Sequence, residues 1–301
     1  MLRIVKWLLG IIGALLLLVV ALITGVVMLS TQRMNHRYEL PSVVALNIPT
    51  DEATLAEGER LYISRGCVDC HLENGSGRNI IDDPALGTLT AANLTHGEGG
   101  LSSDYSVEDY MRALQHGVGK DGMGLLLMPS YEYAQMREEE MAALIAYLQS
   151  FEPVRQIHPD STLGPIGRTL LVTNQAKFIS AEHIDHATIA PSTVAVGATV
   201  EYGEYLAVMC VGCHGEGYSG GEMLGAPDGS AMPTNITFHE SGLAGWSLDD
   251  FTLAVQSGTR PDGTSLDPFM PYGAYASLNA TEVEALYLYL QTVTPQAEGN
   301  H

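Results

Sequence analysis

Four cysteines and two histidines fall into two short motifs whose spacing suits the attachment of a prosthetic group. Both motifs have the sequence C-x-x-C-H, formed by Cys67, Cys70 and His71 and by Cys210, Cys213 and His214. Two thiols on one helical turn can reach the two vinyl groups of one porphyrin, and the following histidine can present an imidazole nitrogen to its iron. This is the spacing of c-type haem attachment, so the sequence predicts two covalently bound haem c groups.

Two other kinds of cysteine site share part of this pattern. A C-x-x-C pair can form half of a zinc site or act as a redox-active dithiol. The four cysteines are also enough for a single zinc ion. Neither alternative gives a role to His71 and His214, each of which directly follows its second cysteine. The adjacent histidine therefore favours haem.

A low-spin electron-transfer haem needs a second axial ligand, and a methionine thioether favours the ferrous state more than a second histidine does. Met128 follows His71 by 57 residues, and Met270 follows His214 by 56. Both methionines precede a proline, whose fixed φ suits a loop folded over a haem face. Their rivals are Met123, Met136, Met141 and Met232. Only Met128 and Met270 occupy equivalent places in both halves, so we predict His71/Met128 and His214/Met270 as the two ligand pairs.

The remaining histidines have no equivalent position in both halves of the chain. They are His36, His96, His116, His158, His183, His186, His239 and His301. We therefore do not predict that any of them binds iron.

Short motifs recur in the same order, which indicates an internal duplication. Several pairs lie 142 positions apart. They include Asn93-Leu94-Thr95 with Asn235-Ile236-Thr237, Gly100-Leu101 with Gly242-Leu243, Met128-Pro129 with Met270-Pro271, and Tyr147-Leu148-Gln149 with Tyr289-Leu290-Gln291. The two Asn-x-Thr triplets also match the glycosylation acceptor sequence, but their paired positions explain them better.

Helical patterns surround the motif in the first copy. A helix start at Thr50-Asp51 has acidic residues in its first turn, where they suit the helix dipole. Apolar periodicity predicts further helices over 107–117 and 138–148. Residues 72–103 are rich in Gly, Asn, Asp and Thr, which predicts a loop between them.

The duplication divides the chain into two predicted domains. They span residues 51–152 and 201–296. Residues 153–200 belong to neither copy, and their prolines and glycines predict an extended connector that contains a short helix near residues 181–187. The chain is long enough for two domains of ordinary size.

The N-terminal stretch reads as a membrane span. Residues 7–29 carry no charge and are mostly apolar, a length that matches a bilayer core. We predict an uncleaved signal-anchor over 1–30, followed by a tether over 31–50. A cleaved signal peptide is the alternative, but it would need a shorter apolar core and a small-x-small cleavage site. Arg3 and Lys6 precede the span and favour a cytoplasmic N-terminus, but Arg33 and Arg37 beyond its far end weaken this asymmetry. Because haem is attached to C-x-x-C-H on the outer side of the cytoplasmic membrane, we expect the rest of the chain on the periplasmic side.

The charge balance restricts the partners. Lys and Arg number 14 against 35 Asp and Glu, a formal net charge of −21. Such a chain would repel phosphate, which excludes nucleic acid as a natural partner. The charge permits steering toward a basic soluble cytochrome or another basic carrier. It equally suits an acidic surface that only keeps the domains soluble.

These motifs together resemble bacterial membrane-bound dihaem cytochromes c built from two class I domains. The stretch containing Asn235-Ile236-Thr237, Trp246-Ser247, Asp262-Gly263 and Phe269-Met270-Pro271-Tyr272 resembles the cytochrome subunits of membrane alcohol and gluconate-type dehydrogenases. The resemblance implies a mainly α fold, with a transmembrane helix followed by two tandem class I cytochrome c domains. It also implies haem binding by Cys67, Cys70, His71 and Met128 and by Cys210, Cys213, His214 and Met270. Those subunits typically carry three haem motifs, whereas this chain has two.

The expected function is electron transfer. A membrane-anchored carrier would pass single electrons between a membrane oxidoreductase or dehydrogenase and a terminal oxidase or soluble carrier, without catalysing a bond change. The alternative is a haem enzyme, either a dihaem peroxidase or a thiosulfate-oxidising cytochrome. A peroxidase needs a haem that can open a coordination site, and a Cys-ligated haem needs a cysteine outside the two motifs, which this chain lacks.

Overall fold

The chain begins with a helix that is long and apolar enough to cross a lipid bilayer. The computed structural model describes residues 2–41, 46–221 and 232–299, and its first helix, α1, spans Leu2–Met34. None of the apolar window of α1 is buried. The helix continues past the predicted boundary at residue 30. Parts of the predicted tether and second domain, residues 42–45 and 222–231, lie outside the described residues.

Five α-helices lie in the first half, and the first cysteine motif forms one of them. They are α2 (Glu52–Ser64), α3 (Cys67–His71), α4 (Val107–Met111), α5 (Ser130–Tyr133) and α6 (Glu138–Gln149). Helix α4 continues into a π-helical turn over Arg112–His116 and ends at Gly117, whose φ of 64° is in the left-handed region. The helices predicted over 107–117 and 138–148 are therefore confirmed.

The second half repeats this order of helices. It contains α8 (Val200–His214), α9 (Leu248–Ser257), α10 (Tyr272–Tyr275) and α11 (Ala280–Leu290). Ser106 and Ser247 cap α4 and α9 with the same reciprocal bonds to an acidic residue three positions on. The halves differ just before the cysteine motif. Helix α8 runs into its motif without a break, whereas Arg65 and Gly66 separate α2 from α3.

Two regions differ from the sequence prediction. Residues 72–103 were predicted as loop, but they contain an antiparallel hairpin of β1 (Arg78–Asp83) and β2 (Gly87–Ala91). The connector adds a third strand, β3 (Thr162–Leu163), and a helix, α7 (Pro165–Val172). The short helix predicted near 181–187 is a single 3₁₀ turn over Ser180–His183. The prediction of an extended connector missed α7 because Pro165 reads as a breaker, although proline is favoured in the first turn of a helix.

The connector holds the end of α1 against the first half. The Arg168 guanidinium donates to the hydroxyls of Ser30 and Thr31, at 2.9 Å in each case. Arg33 forms an ion pair with Glu182. Leu89, Leu163, Leu171 and Ile179 form a buried cluster beneath this contact. The connector therefore packs along the first half and fixes the direction in which α1 leaves it.

In each half, a close helix crossing brings the last helix onto the helix that leads to the cysteine motif. Helix α2 packs on α6 and α8 packs on α11. Gly58 and Gly203 lie at the two crossings, and a Cβ atom at either would overlap a backbone carbonyl of the facing helix, that of Ala143 or Ala285. Only glycine allows the backbones to approach so closely.

We predict that Gly203→Ala destabilises the second half. The added methyl group has no space beside the carbonyl of Ala285, so the helices must move apart. The expected loss in free energy of unfolding is about 1–3 kcal/mol, measured by denaturant titration. Gly273→Ala is the matched control, because nothing lies within 4 Å of a Cβ atom at that position. Equal stability of the two variants would contradict the role of the crossing.

Hydrogen bonds and an ion pair join the halves. Within the first half, Arg65 pairs with Glu140 at 3.1 Å, and the two side chains are only 6% and 7% exposed. The Tyr205 hydroxyl of the second half donates to the same Glu140 carboxylate at 2.6 Å. An ion pair also crosses the interface, because Arg60 of α2 contacts Glu282 of α11 at 2.7 Å.

We predict that Arg65→Met weakens the whole structure strongly. The substitution leaves the Glu140 carboxylate buried without its cation, which typically costs about 3–5 kcal/mol of unfolding free energy. The control is Arg155→Met, which removes an exposed pair with Glu98, whose side chain is 58% exposed, and should cost no more than about 1 kcal/mol. Denaturant unfolding of both variants measures the difference. A cost for Arg65→Met as small as that of the control would show that the buried Glu140 carboxylate does not depend on Arg65.

Candidate functional site

All three residues of each motif lie on one helical turn. Helix α3 consists of the first motif alone, and the second motif forms the last turn of α8. None of the four cysteines is in a disulfide. Burial raises the pKa of the Cys67 and Cys210 thiols to about 12. Burial therefore favours the neutral thiol form of these two groups.

The structure also shows whether the two motifs together could hold one metal ion. Within the described residues, no group of three or more His, Cys, Asp or Glu side chains is placed to hold a metal ion. The four cysteines therefore do not form one zinc site. Unpaired thiols three residues apart, beside an adjacent histidine, fit the attachment of a porphyrin.

Both motif histidines are held by a backbone carbonyl. The Nδ1 atom of His71 lies 2.9 Å from the carbonyl oxygen of Ala92, and that of His214 lies 2.7 Å from the oxygen of Thr234. Burial lowers the pKa of both imidazoles, which favours their neutral forms. With the proton on Nδ1, the Nε2 lone pair is available to a metal.

The carbonyls that orient the histidines are fixed by the repeated Asn-x-Thr triplets. Asn93 and Asn235 directly follow Ala92 and Thr234 and are each 2% exposed. Asn235 donates to the backbone oxygen of Gln296 at 2.7 Å and accepts from the amide of Thr237 at 2.9 Å. Asn93 makes the corresponding bonds, to the oxygen of Val154 at 2.8 Å and from the amide of Thr95 at 3.0 Å. The buried asparagines of the two triplets therefore anchor these loops. The sequence showed only that the triplets occupy equivalent positions in the two halves.

The second predicted ligand pair shares one cavity. Cys213, His214 and Met270 line a cavity of about 260 Å³ whose other walls are mostly apolar. Apolar wall residues include Ile236, Leu243, Trp246, Phe251 and Leu266. The rival Met232 also lines the cavity but is 58% exposed. A histidine and a methionine on the walls of an apolar cavity beside an attachment cysteine fit a haem.

Met128 holds the equivalent place in the first half. Met128 and Met270 both precede a proline that starts a short helix, α5 or α10, with nearly the same backbone angles. Met128 packs against the first-half core together with Cys67 and Val68. Its rivals Met136 and Met141 are buried in that core, at 3% and 0% exposure.

The other histidines lie elsewhere. His214 is the only histidine lining the cavity of the second half among the residues described. His116 and His186 contact each other through their Nδ1 atoms at 3.0 Å, and burial lowers the pKa of His116 to about 4. His158 bonds the carbonyl oxygen of Ser76 at 2.8 Å. His96 and His239 are exposed and partly exposed loop residues that contact backbone or serine oxygens. His301 lies outside the described residues.

Sequence reasoning overlooked two features near the site. The first is the pair of crossing glycines, Gly58 and Gly203, which lie in matching Gly-Glu-x-Leu sequences before each motif. The second is Glu132, whose carboxylate from the first half reaches Gly212 in the second motif. Matching the two copies residue by residue would have found the glycines, but only the folded interface reveals the position of Glu132.

Residues 55–152 match the family described as cytochrome c. The chain is 40% identical over 111 residues to the gluconate 2-dehydrogenase cytochrome c subunit of Pantoea cypripedii, covering 34% of this chain and 25% of that protein. It is 37% identical over 111 residues to the cytochrome c subunit of the quinone alcohol dehydrogenase of Gluconobacter oxydans, covering 34% and 23%. It is also 32% identical over 96 residues to a diheme c-type cytochrome of Cereibacter sphaeroides, covering 29% and 32%.

The chain spans about a quarter of the length of the dehydrogenase subunits that it matches. The family match covers the helices α2 to α6 and the first cysteine motif. This chain therefore contains a cytochrome c domain and is homologous to cytochrome c subunits of bacterial dehydrogenases.

Proposed function

We propose that this protein is a membrane-anchored dihaem c-type cytochrome that carries single electrons. The cavity that brings Cys213, His214 and Met270 together carries the proposal, because it joins an attachment cysteine to both predicted axial ligands. The repeated order of helices extends the same assignment to both halves. The cytochrome c match to residues 55–152 supports it for the first half.

The chain's own residues provide the attachment and the ligands. Cys67 and Cys70, and likewise Cys210 and Cys213, would form thioethers to one porphyrin each. Haem c supplies a centre that takes up and releases one electron when it is bound. The carbonyl oxygens of Ala92 and Thr234 accept hydrogen bonds from the Nδ1 atoms of His71 and His214. The apolar walls of the second-half cavity would exclude water from the haem bound there.

The proposed partner that delivers electrons is a membrane dehydrogenase. Several relatives are named as cytochrome subunits of gluconate, alcohol and fructose dehydrogenases. A terminal oxidase or a basic soluble cytochrome is the proposed acceptor, consistent with the net charge of −21. Helix α1 would anchor the protein in the cytoplasmic membrane, with both haem domains on the periplasmic side, where haem is attached to C-x-x-C-H.

We predict that the mature protein carries two covalent haem groups, one for each motif. Replacing Cys67 and Cys70 together by alanine should leave one, because each thioether pair depends only on its own motif. The mass of the denatured protein measures the number of groups. Replacing Cys210 and Cys213 is the reciprocal variant and should also leave one. A native mass without covalent haem would overturn the proposed function.

We predict that each methionine ligates one iron. Met128→Ala and Met270→Ala should each remove half of the weak far-red sulfur-to-iron absorption of the ferric protein, since a thioether bond to one iron is lost. Met232→Ala is the control and should leave the absorption intact, because Met232 has no counterpart in the other half. An unchanged spectrum in both ligand variants would refute the assignment. High-spin haem in the native protein, or turnover of peroxide, would favour a haem enzyme.

A further inference from the structure

A carboxylate of the first half lies on the haem-attachment turn of the second half. Glu132 belongs to α5, and its Oε1 atom lies 3.0 Å from the position that a Cβ atom would take at Gly212. Gly212 is the residue before Cys213 in the second motif. The absence of a side chain at Gly212 therefore makes room for Glu132.

The first motif has the reverse arrangement. Asp69 occupies the place of Gly212 in the first motif, and Ala274 of α10 occupies the place of Glu132. Asp69 lies near Tyr275 of the second half, as Glu132 lies near Cys213. Each motif thus has one carboxylate at this position. The first motif provides its own, Asp69, whereas the second motif receives Glu132 from the first half.

The Glu132 carboxylate is not neutralised by a neighbour. In the described part of the chain, no hydrogen bond or ion pair is made by its side chain, although it lines a small cavity with Arg65, Tyr133 and Tyr205. Arg65 is already paired with Glu140 at 3.1 Å. Burial raises the pKa of the Glu132 carboxyl to about 7. An unpaired charge in a region of low dielectric acts strongly on a neighbouring charge.

We propose that the charge of Glu132, a residue of the first half, lowers the reduction potential of the haem in the second half. The inference rests on the proposed function. A ferric haem carries one more positive charge than a ferrous haem, so a carboxylate beside the attachment turn stabilises the ferric form. The first haem has Asp69 at the equivalent place, and Glu132 acts on it less because it lies on the second motif.

The test is a spectroelectrochemical titration of the full detergent-solubilised holoprotein, well above pH 7. Glu132→Gln should raise the potential of one haem, identified as the second by its response to Met270→Ala, and leave the other nearly unchanged. Glu138→Gln is the matched control, because Glu138 is an exposed carboxylate of the same half. Two covalent haems with unchanged potentials in Glu132→Gln would overturn this inference while leaving the proposed function intact.

A rescue variant separates charge from structure. Glu132→Ala should raise the second potential, and adding Gly212→Asp should lower it again, because this pair of changes reproduces the arrangement of the first motif. Failure of Gly212→Asp to lower the potential would refute an electrostatic role.

The native protein provides a measurement without substitution. The Glu132 carboxyl is neutral below pH 7 and charged above it, so the second potential should fall as the pH rises through about 7. The other titratable groups facing Glu132 stay fixed in this range. Burial raises the pKa of Tyr131 to about 12 and those of Tyr133, Tyr205 and Tyr275 higher, and Arg65 remains a cation. Cys210 and Cys213 also face Glu132, but they carry no titratable thiol once they form the proposed thioethers. A second potential that does not change across pH 7 would overturn the inference.

Discussion

The close crossing of two helices in each half is the constraint on which the site depends. Gly58 and Gly203 let the last helix of each half approach the backbone of the helix that leads to the cysteines. A wider crossing would move the cysteine turn away from the loop whose carbonyl holds His71 or His214. The orientation of each imidazole therefore depends on the contact of Gly58 or Gly203 with the facing helix. A closely packed interior transmits a shift of one helix to the groups packed against it.

Residue types and spacing predicted the motif turns and the helices around Val107 and Glu138, because these features are encoded locally. The sequence did not predict strands β1 and β2, since both are short, β1 is mostly exposed and β2 pairs partly with the distant strand β3. Helix α7 was missed because Pro165 reads as a helix breaker, whereas the structure places it in the first turn of a helix that packs on α1. Glu132 was missed because its importance depends on a contact with the other half.

The two halves share an order of helices but not the same surroundings. The connector covers the methionine loop of the first half, where the Ser180 hydroxyl donates to the carbonyl oxygen of Met128. In the corresponding loop of the second half, Phe269 beside Met270 is 41% exposed. Among the residues that the structure describes, the methionine loop of the first half is thus the more enclosed one. Both halves contain the same order of helices, but the connector contacts the methionine loop of the first half.

The residues that separate α2 from α3 account for the way the halves join. Arg65 and Gly66 have no counterpart in α8, so they are additional to the shared pattern. The backbone oxygen of Arg65 accepts the Tyr133 hydroxyl at 3.0 Å, and its side chain pairs with Glu140. The free energy needed to desolvate two buried charges is about as large as the attraction between them. Such a pair therefore adds little net stability, but it fixes how its two side chains are placed. This pair also faces the second half, because the Arg65 guanidinium lies 5.7 Å from the centre of the Tyr205 ring and the Tyr205 hydroxyl donates to Glu140. The inserted arginine and its partner carboxylate therefore form one of the contacts between the halves.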